Sequence, residues 1–317
     1  MKQIYFALIL LLTMGVVSCR KSENDVDIKT FDQQQIEAYI KTNNLTNMKR
    51  DLTDGDTTGI YYEILAQGYG AGNELNYETP VSLVYSFKSL DGSFTSTDTI
   101  YNHSYSYLGL LTNNGGSAMP KGLITALHNL AKFKGTRAKF LIPSRLAYGR
   151  SGSGTGPNRL PGNQSLECYV NVINNQAAYD DQSITKYMAA NNLTGYTKTA
   201  SGLYYKVVQP GTGTVFPSPS GSVTAQYTGS LLNGTNFDTA SNDQETTNVG
   251  VSFTLNNLAA IGFGEGMQKG TAGSRLSLFL PSKLGYGVSV QRDESQNVRI
   301  PANSVLHFEI ILLTVTN

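Results

Sequence analysis

Apolar and polar residues alternate with a period of two along much of this chain. Val223, Ala225 and Tyr227, then Leu276, Leu278 and Leu280, then Leu306, Phe308, Ile310 and Leu312 stand among mainly polar neighbours. That is the pattern of half-buried antiparallel strands. Elsewhere the period becomes helical: Ile36, Tyr39 and Ile40, and again Ile184, Tyr187 and Met188, sit at i, i+3 and i+4, which predicts a helix at the head of each half. Asp32 and Asp180 stand just before these runs and are expected to cap the helices. Residues 258–268, LAAIGFGEGMQ, place apolar side chains at 260, 263 and 267, which fits a short helix in spite of the glycines. A curved antiparallel sheet closing on one short helix is an α+β fold.

The pattern is written twice. Residues 140–149, FLIPSRLAYG, return as residues 279–287, FLPSKLGYG; the helical run before Asn43 and Asn44 returns before Asn191 and Asn192; Gly59 with two following tyrosines returns at Gly202. Leu160-Pro161 and Ile300-Pro301 complete the series in the same order. The offset between copies drifts, unlike the short fixed period of a solenoid. Two tandem α+β domains are expected, residues 32–175 and 180–317, each opened by its own helix, with a short polar join at 174–179.

Composition narrows the class. The 317 residues carry a net charge of +1, 32 glycines, 19 tyrosines and no tryptophan, which suits strands and turns. No basic stripe exists to track phosphates, so nucleic acid is not an expected partner. The first residues differ from the rest: Lys2 precedes an apolar run that ends Val16-Val17-Ser18-Cys19, too short to span a membrane. This resembles the lipobox of bacterial lipoproteins. It implies a signal peptide at 1–18, lipid attachment at Cys19, a polar tether over 19–31, and a place in the cell envelope facing the periplasm or exterior, on the outer membrane. Cys168 is the other cysteine, so the mature chain has no internal disulfide and its stability comes from core burial.

The chemistry-bearing words come in the second half. Tyr227-Thr228-Gly229, Gly234, Phe237-Asp238, Gly262-Phe263 with Glu265-Gly266, Pro281 to Tyr286-Gly287, and Ile300-Pro301 with Phe308 follow one another. This order and spacing resemble the FKBP-type peptidyl-prolyl isomerases across roughly residues 200–316. The resemblance implies an apolar prolyl pocket walled by Tyr227, Phe237, Phe253, Phe263, Tyr286, Ile300 and Phe308, with Phe263 as its floor. It also implies that the Ala260 N–H and the Tyr286 hydroxyl hold substrate carbonyls, and that Asp238 orients the Tyr227 hydroxyl. Substrates would be proline-containing polypeptides of exported proteins, with no cofactor and no metal.

The residue inventory suits that reaction on its own terms. Rotation about X-Pro is opposed by amide resonance, with a barrier of about 18–20 kcal/mol, and breaks no covalent bond. Apolar walls disfavour the charge-separated planar amide while fixed donors hold the flanking carbonyls. Other chemistries lack parts: His103, His128 and His307 have no metal spacing, and His307 is expected to point away from Leu306 and Phe308. Asp238 and Glu265 read as separate carboxylates, one hydrogen-bonded and one on a helix surface. A non-catalytic chaperone-like or scaffold lipoprotein gripping proline-containing segments is the alternative, and a glycan-binding surface lipoprotein is a third class.

Against the resemblance stand several departures. Ala260 is small, Phe263 replaces a Trp floor, and the segments 241–250 and 287–300 are expanded. In the first half Tyr85 and Tyr148 align with Tyr227 and Tyr286, but Phe94-Thr95 replaces Phe237-Asp238, Leu123 replaces the aromatic floor and Cys168 replaces Phe308. That half is expected to be a degenerate copy, with Cys168 a buried small hydrophobe.

Overall fold

The computed structural model describes residues 26–240 and 250–317. The expected signal peptide, Cys19 and most of its tether, and segment 241–249, lie outside the described residues.

The first helix, α1 (Ile28–Thr42), starts at Asp27, whose carboxylate accepts the Lys29 N–H. It turns Ile36 fully into the protein. Seven strands follow: β1 (Lys49–Arg50), β2 (Tyr61–Ala66), β3 (Pro80–Ser89), β4 (Thr95–Ser96), β5 (His103–Tyr107), β6 (Arg137–Ile142) and β7 (Leu166–Ile173). They form one antiparallel sheet in the order β1-β2-β6-β7-β3-β4, with β5 also on β3. Helix α2 (Lys121–Ala126), continued by a wider turn over Leu127–Ala131, packs Leu123 and Leu127 into the concave face.

The second half repeats this with the same connectivity. Helix α3 (Gln176–Ala190) is capped by Asn175, whose side chain accepts the Ala178 N–H. Strands β8 (Thr197–Lys198), β9 (Tyr204–Gln209), β10 (Ser222–Leu231), β11 (Asn236–Ala240), β12 (Val251–Thr254) and β13 (Arg275–Leu280) follow. After them come a hairpin, β14 (Gln291–Arg292) with β15 (Val298–Ile300), and β16 (Leu306–Thr316). The sheet order is β11-β10-β16-β13-β9-β8, with β12 also on β10. Helix α4 (Ile261–Met267) closes the concave face. The α+β class and the antiparallel strands expected at 223–227, 276–280 and 306–312 are therefore present, as is the short helix, trimmed at both ends.

Two expectations change. The polar join at 174–179 is mostly helix, because α3 begins at Gln176. Asp32 and Asp180 do not cap: they sit one turn inside their helices, buried at 0% and 1% exposure. A helix start offers orphan N–H groups, but Asp27 and Asn175 already meet them. Asp180 instead accepts the Ser282 N–H at 2.8 Å and its hydroxyl at 2.6 Å. Asp32 accepts the Arg145 N–H at 3.2 Å. Each buried carboxylate thus ties its leading helix to the repeated Pro-Ser turn.

That turn is built alike in both halves. Gly149 and Gly287 have φ of 57° and 56°, and their carbonyls accept the N–H of Asn163 and Asn303 at 2.8 and 2.7 Å. A left-handed backbone favours glycine, which accounts for the repeated Tyr-Gly pair. The halves also touch: Asn303 donates to Ser82, which in turn donates to Gln176 at the start of α3.

Candidate active site

Strand β10 is the spine of the site. It pairs with β11 on one side and β16 on the other, so Gly229 faces both Asp238 and Phe308 across the sheet. A Cβ at Gly229 would lie 2.6 Å from the Phe237 ring and 2.8 Å from that of Phe308. Glycine is required there because the two rings occupy the space a side chain would take. They meet edge to face, with centroids 5.6 Å apart.

Phe263, on α4, lies beneath them. Its ring is 4.7 Å from Phe308, 5.3 Å from Tyr227 and 5.4 Å from Phe253. Gly262 lets α4 approach this closely, since a Cβ there would meet Leu284 at 2.8 Å. Ile300 and Ala260 belong to the same buried cluster, with Tyr227, Phe253 and Tyr286 packed against it half-exposed. Every pocket residue expected from the sequence is therefore in one place.

Polar groups rim the aromatic bowl. The Tyr227 hydroxyl donates to Asp238 Oδ2 at 2.7 Å. Burial first, and then this bond, hold the Tyr227 hydroxyl well above the usual tyrosine range, so it remains protonated. Arg299 Nη2 stands 3.8 Å from Asp238 Oδ1. Tyr286 is also raised, by burial and by the Asp238 charge, with Arg299 opposing. Ala260 is the residue before α4, and its N–H has no backbone acceptor among the described residues. The site thus offers apolar walls and rim donors, among them that free N–H.

Groups set aside on sequence grounds sit elsewhere. Glu265 accepts the Ser201 hydroxyl at 2.7 Å. His307 is on the opposite face of β16 from Phe308, stacked on Phe279 at 4.3 Å and bonded towards Ser277. Among the described residues no group of three metal-ligating side chains forms and no helix is long and apolar enough to cross a membrane.

The first half departs more than its sequence suggested. Cys168 does hold the position of Phe308, fully buried, its thiol pushed up by that burial. The missing ring, however, has moved to the neighbouring strand: Phe87 pairs with Cys168 as Gly229 pairs with Phe308. Large and small have exchanged places, and Phe87 packs on Tyr85 with centroids 4.9 Å apart. No sequence motif signals this, because it depends on register between distant strands. Pro120 stands before α2 where Ala260 stands before α4. A proline has no N–H, so the first half lacks that donor as well as the aspartate, whose place is taken by Ser96 and not by Thr95, since Ser96 pairs with Phe87 as Asp238 pairs with Gly229.

Comparison with a family model falls in the second half. Residues 213–313 match the family model of the FKBP-type peptidyl-prolyl cis-trans isomerases. The isomerase FkpA of Aeromonas hydrophila is 40% identical over 131 residues, 41% of this chain and 44% of that protein. The outer membrane protein MIP of Legionella longbeachae is 34% identical over 130 residues, 41% of this chain and 51% of that protein. The chain thus spans about half the length of these relatives. The crystal structure of FkpA from Escherichia coli superposes with a TM-score of 0.35 at 30% identity, covering 44% of this chain and 61% of that one. The stretch 213–313 thus resembles an FKBP-type peptidyl-prolyl cis-trans isomerase domain.

Proposed function

We propose that residues 180–317 form a peptidyl-prolyl cis-trans isomerase domain and that residues 32–175 form a tandem copy without turnover. The observation that carries the reading is the clustering of Tyr227, Phe237, Phe253, Phe263, Ile300 and Phe308 beneath the Tyr227–Asp238 hydrogen bond. A prolyl ring enters this bowl, and the Ala260 N–H and the Tyr286 hydroxyl hold the carbonyls on either side. The apolar walls disfavour the charge-separated planar amide while the fixed donors favour the twisted one. A thousandfold acceleration needs about 4 kcal/mol, a magnitude a few such contacts supply. Asp238 keeps the Tyr227 hydroxyl turned outward to the rim, and Arg299 limits the spread of its charge.

The envelope setting belongs to the same proposal. With lipid on Cys19 the domain would work on exported polypeptides, for which unaided X-Pro isomerisation takes tens to hundreds of seconds. Labelling with radioactive palmitate, present in the wild type and absent in Cys19→Ala, tests the anchor. Exchange NMR of a proline peptide with the full chain tests the activity. The wild type raises the exchange rate, and Phe263→Ala lowers it at least about tenfold. No acceleration by the wild type removes the proposal and leaves a binding module.

A further inference from the structure

The first half has an open cleft at the place that corresponds to the aromatic bowl of the second half. Its volume is about 240 Å³, room for about eight waters at roughly 30 Å³ each. Phe87, Phe94 and Leu160 supply apolar wall, and the polar lining is made of amides and hydroxyls, with no charged side chain among the lining residues. One hydroxyl there is incomplete. Tyr85, 2% exposed, accepts the Asn114 N–H at 3.3 Å, yet its own proton has no acceptor among the described residues. Burial raises the Tyr85 hydroxyl and pushes that of Tyr148 up to about 12, so both stay protonated.

In the open cleft that donor is met by water, or by a ligand that brings an acceptor in its place. An acceptor beside apolar walls, in a lining without charge, describes a peptide carbonyl next to an apolar side chain. We propose that this cleft is a second polypeptide-binding site, which holds an uncharged segment by an apolar side chain and does not isomerise it. Composition argues against turnover: Pro120 removes the N–H donor, and Ser96, which pairs with Phe87 as Asp238 pairs with Gly229, stands where an aspartate would be. The cleft also reaches the other half. Tyr101 lines it and donates to the Val298 carbonyl at 2.9 Å, on the strand that ends at Ile300. Asp98, on the same loop, accepts from Asn233 in the turn between β10 and β11.

The test is an NMR titration of the ¹⁵N-labelled full chain with a blocked, uncharged Leu-Pro peptide. The expected result is two sets of shifting amides, one at Tyr286 and Gly287 and another at Asn114, Gly115 and Gly154. Asn158→Asp, an exposed change that brings a charge to the cleft, weakens only the second set, by about fivefold. Tyr85→Phe weakens the same set while leaving the first unchanged. Shifts confined to the second half, or a first-half set indifferent to both variants, would overturn the proposal. An inactive second half leaves this readout intact, so the two proposals fail separately.

Discussion

Asp180 holds Ser282 through both the backbone N–H and the hydroxyl, across 102 positions of sequence. The bond locks helix α3 to the turn that presents Tyr286. Asp180→Ala leaves two buried donors unmatched, a loss of about 1–3 kcal/mol each at most, and frees the turn. Lower stability together with slower isomerisation is expected from denaturant titration and exchange NMR. Its pH dependence has a definite sign. Burial raises the Asp180 carboxyl above 3.8, with the bonds from Ser282 and Gln176 opposing. The native chain then keeps a proton that the unfolded chain releases, so this contribution is full below pH 3.8 and declines as pH rises through the native value. Asp180→Asn removes that slope.

Gly229 makes room for two rings, so Gly229→Ala is expected to disturb the bowl itself. The new methyl would sit 2.6 Å from Phe237. Overpacking of this kind costs about 1–3 kcal/mol, and here the displaced groups are pocket walls. Activity is expected to fall further than stability, measured by exchange rate beside thermal unfolding. Equal activity at reduced stability would mean the rings are core and not pocket.

His103 lies at the contact between the halves, 6.0 Å from the Tyr179 ring and close to Asn303. Neither ring nitrogen has a well-aligned hydrogen bond among the described residues. Burial lowers it to about 4, with the backbone of Thr99, Ala302 and Asn303, and then Asp98, opposing. The unfolded chain takes up this proton near pH 6.5 and the native one only near 4, so stability is lost as pH falls through that window. Urea midpoints at pH 7 and pH 5 are expected to differ more for the wild type than for His103→Gln. Parallel shifts would contradict this.

How much was readable in advance follows the range of each interaction. Alternation at 223–227 and 306–312 named the strands because period two is local, and Phe237, Phe263 and Tyr286 followed from motif order. Asp32 and Asp180 misled because an acidic residue near a helix start suits a cap as well as a buried tie, and only the tertiary turn distinguishes them. The exchange of Gly229 and Phe308 for Phe87 and Cys168 was hidden for the same reason. It is a cross-strand pair, with the ring on β3 in one half and on β16 in the other, so each strand alone looks altered. Arg299 and the loop carrying Tyr101 left no motif, since their partners lie in the other sheet edge or the other half.

Tyr286 and Tyr148 occupy matching places in the two copies of the repeated turn, so one hydroxyl can be removed from each and the exchange rate of a proline peptide compared. Tyr286→Phe is expected to slow the full chain by about tenfold, the worth of one hydrogen bond realised in the twisted state, while Tyr148→Phe leaves the rate at the wild-type value. Equal loss from both variants, or loss from Tyr148→Phe alone, would contradict the assignment of isomerisation to the second half.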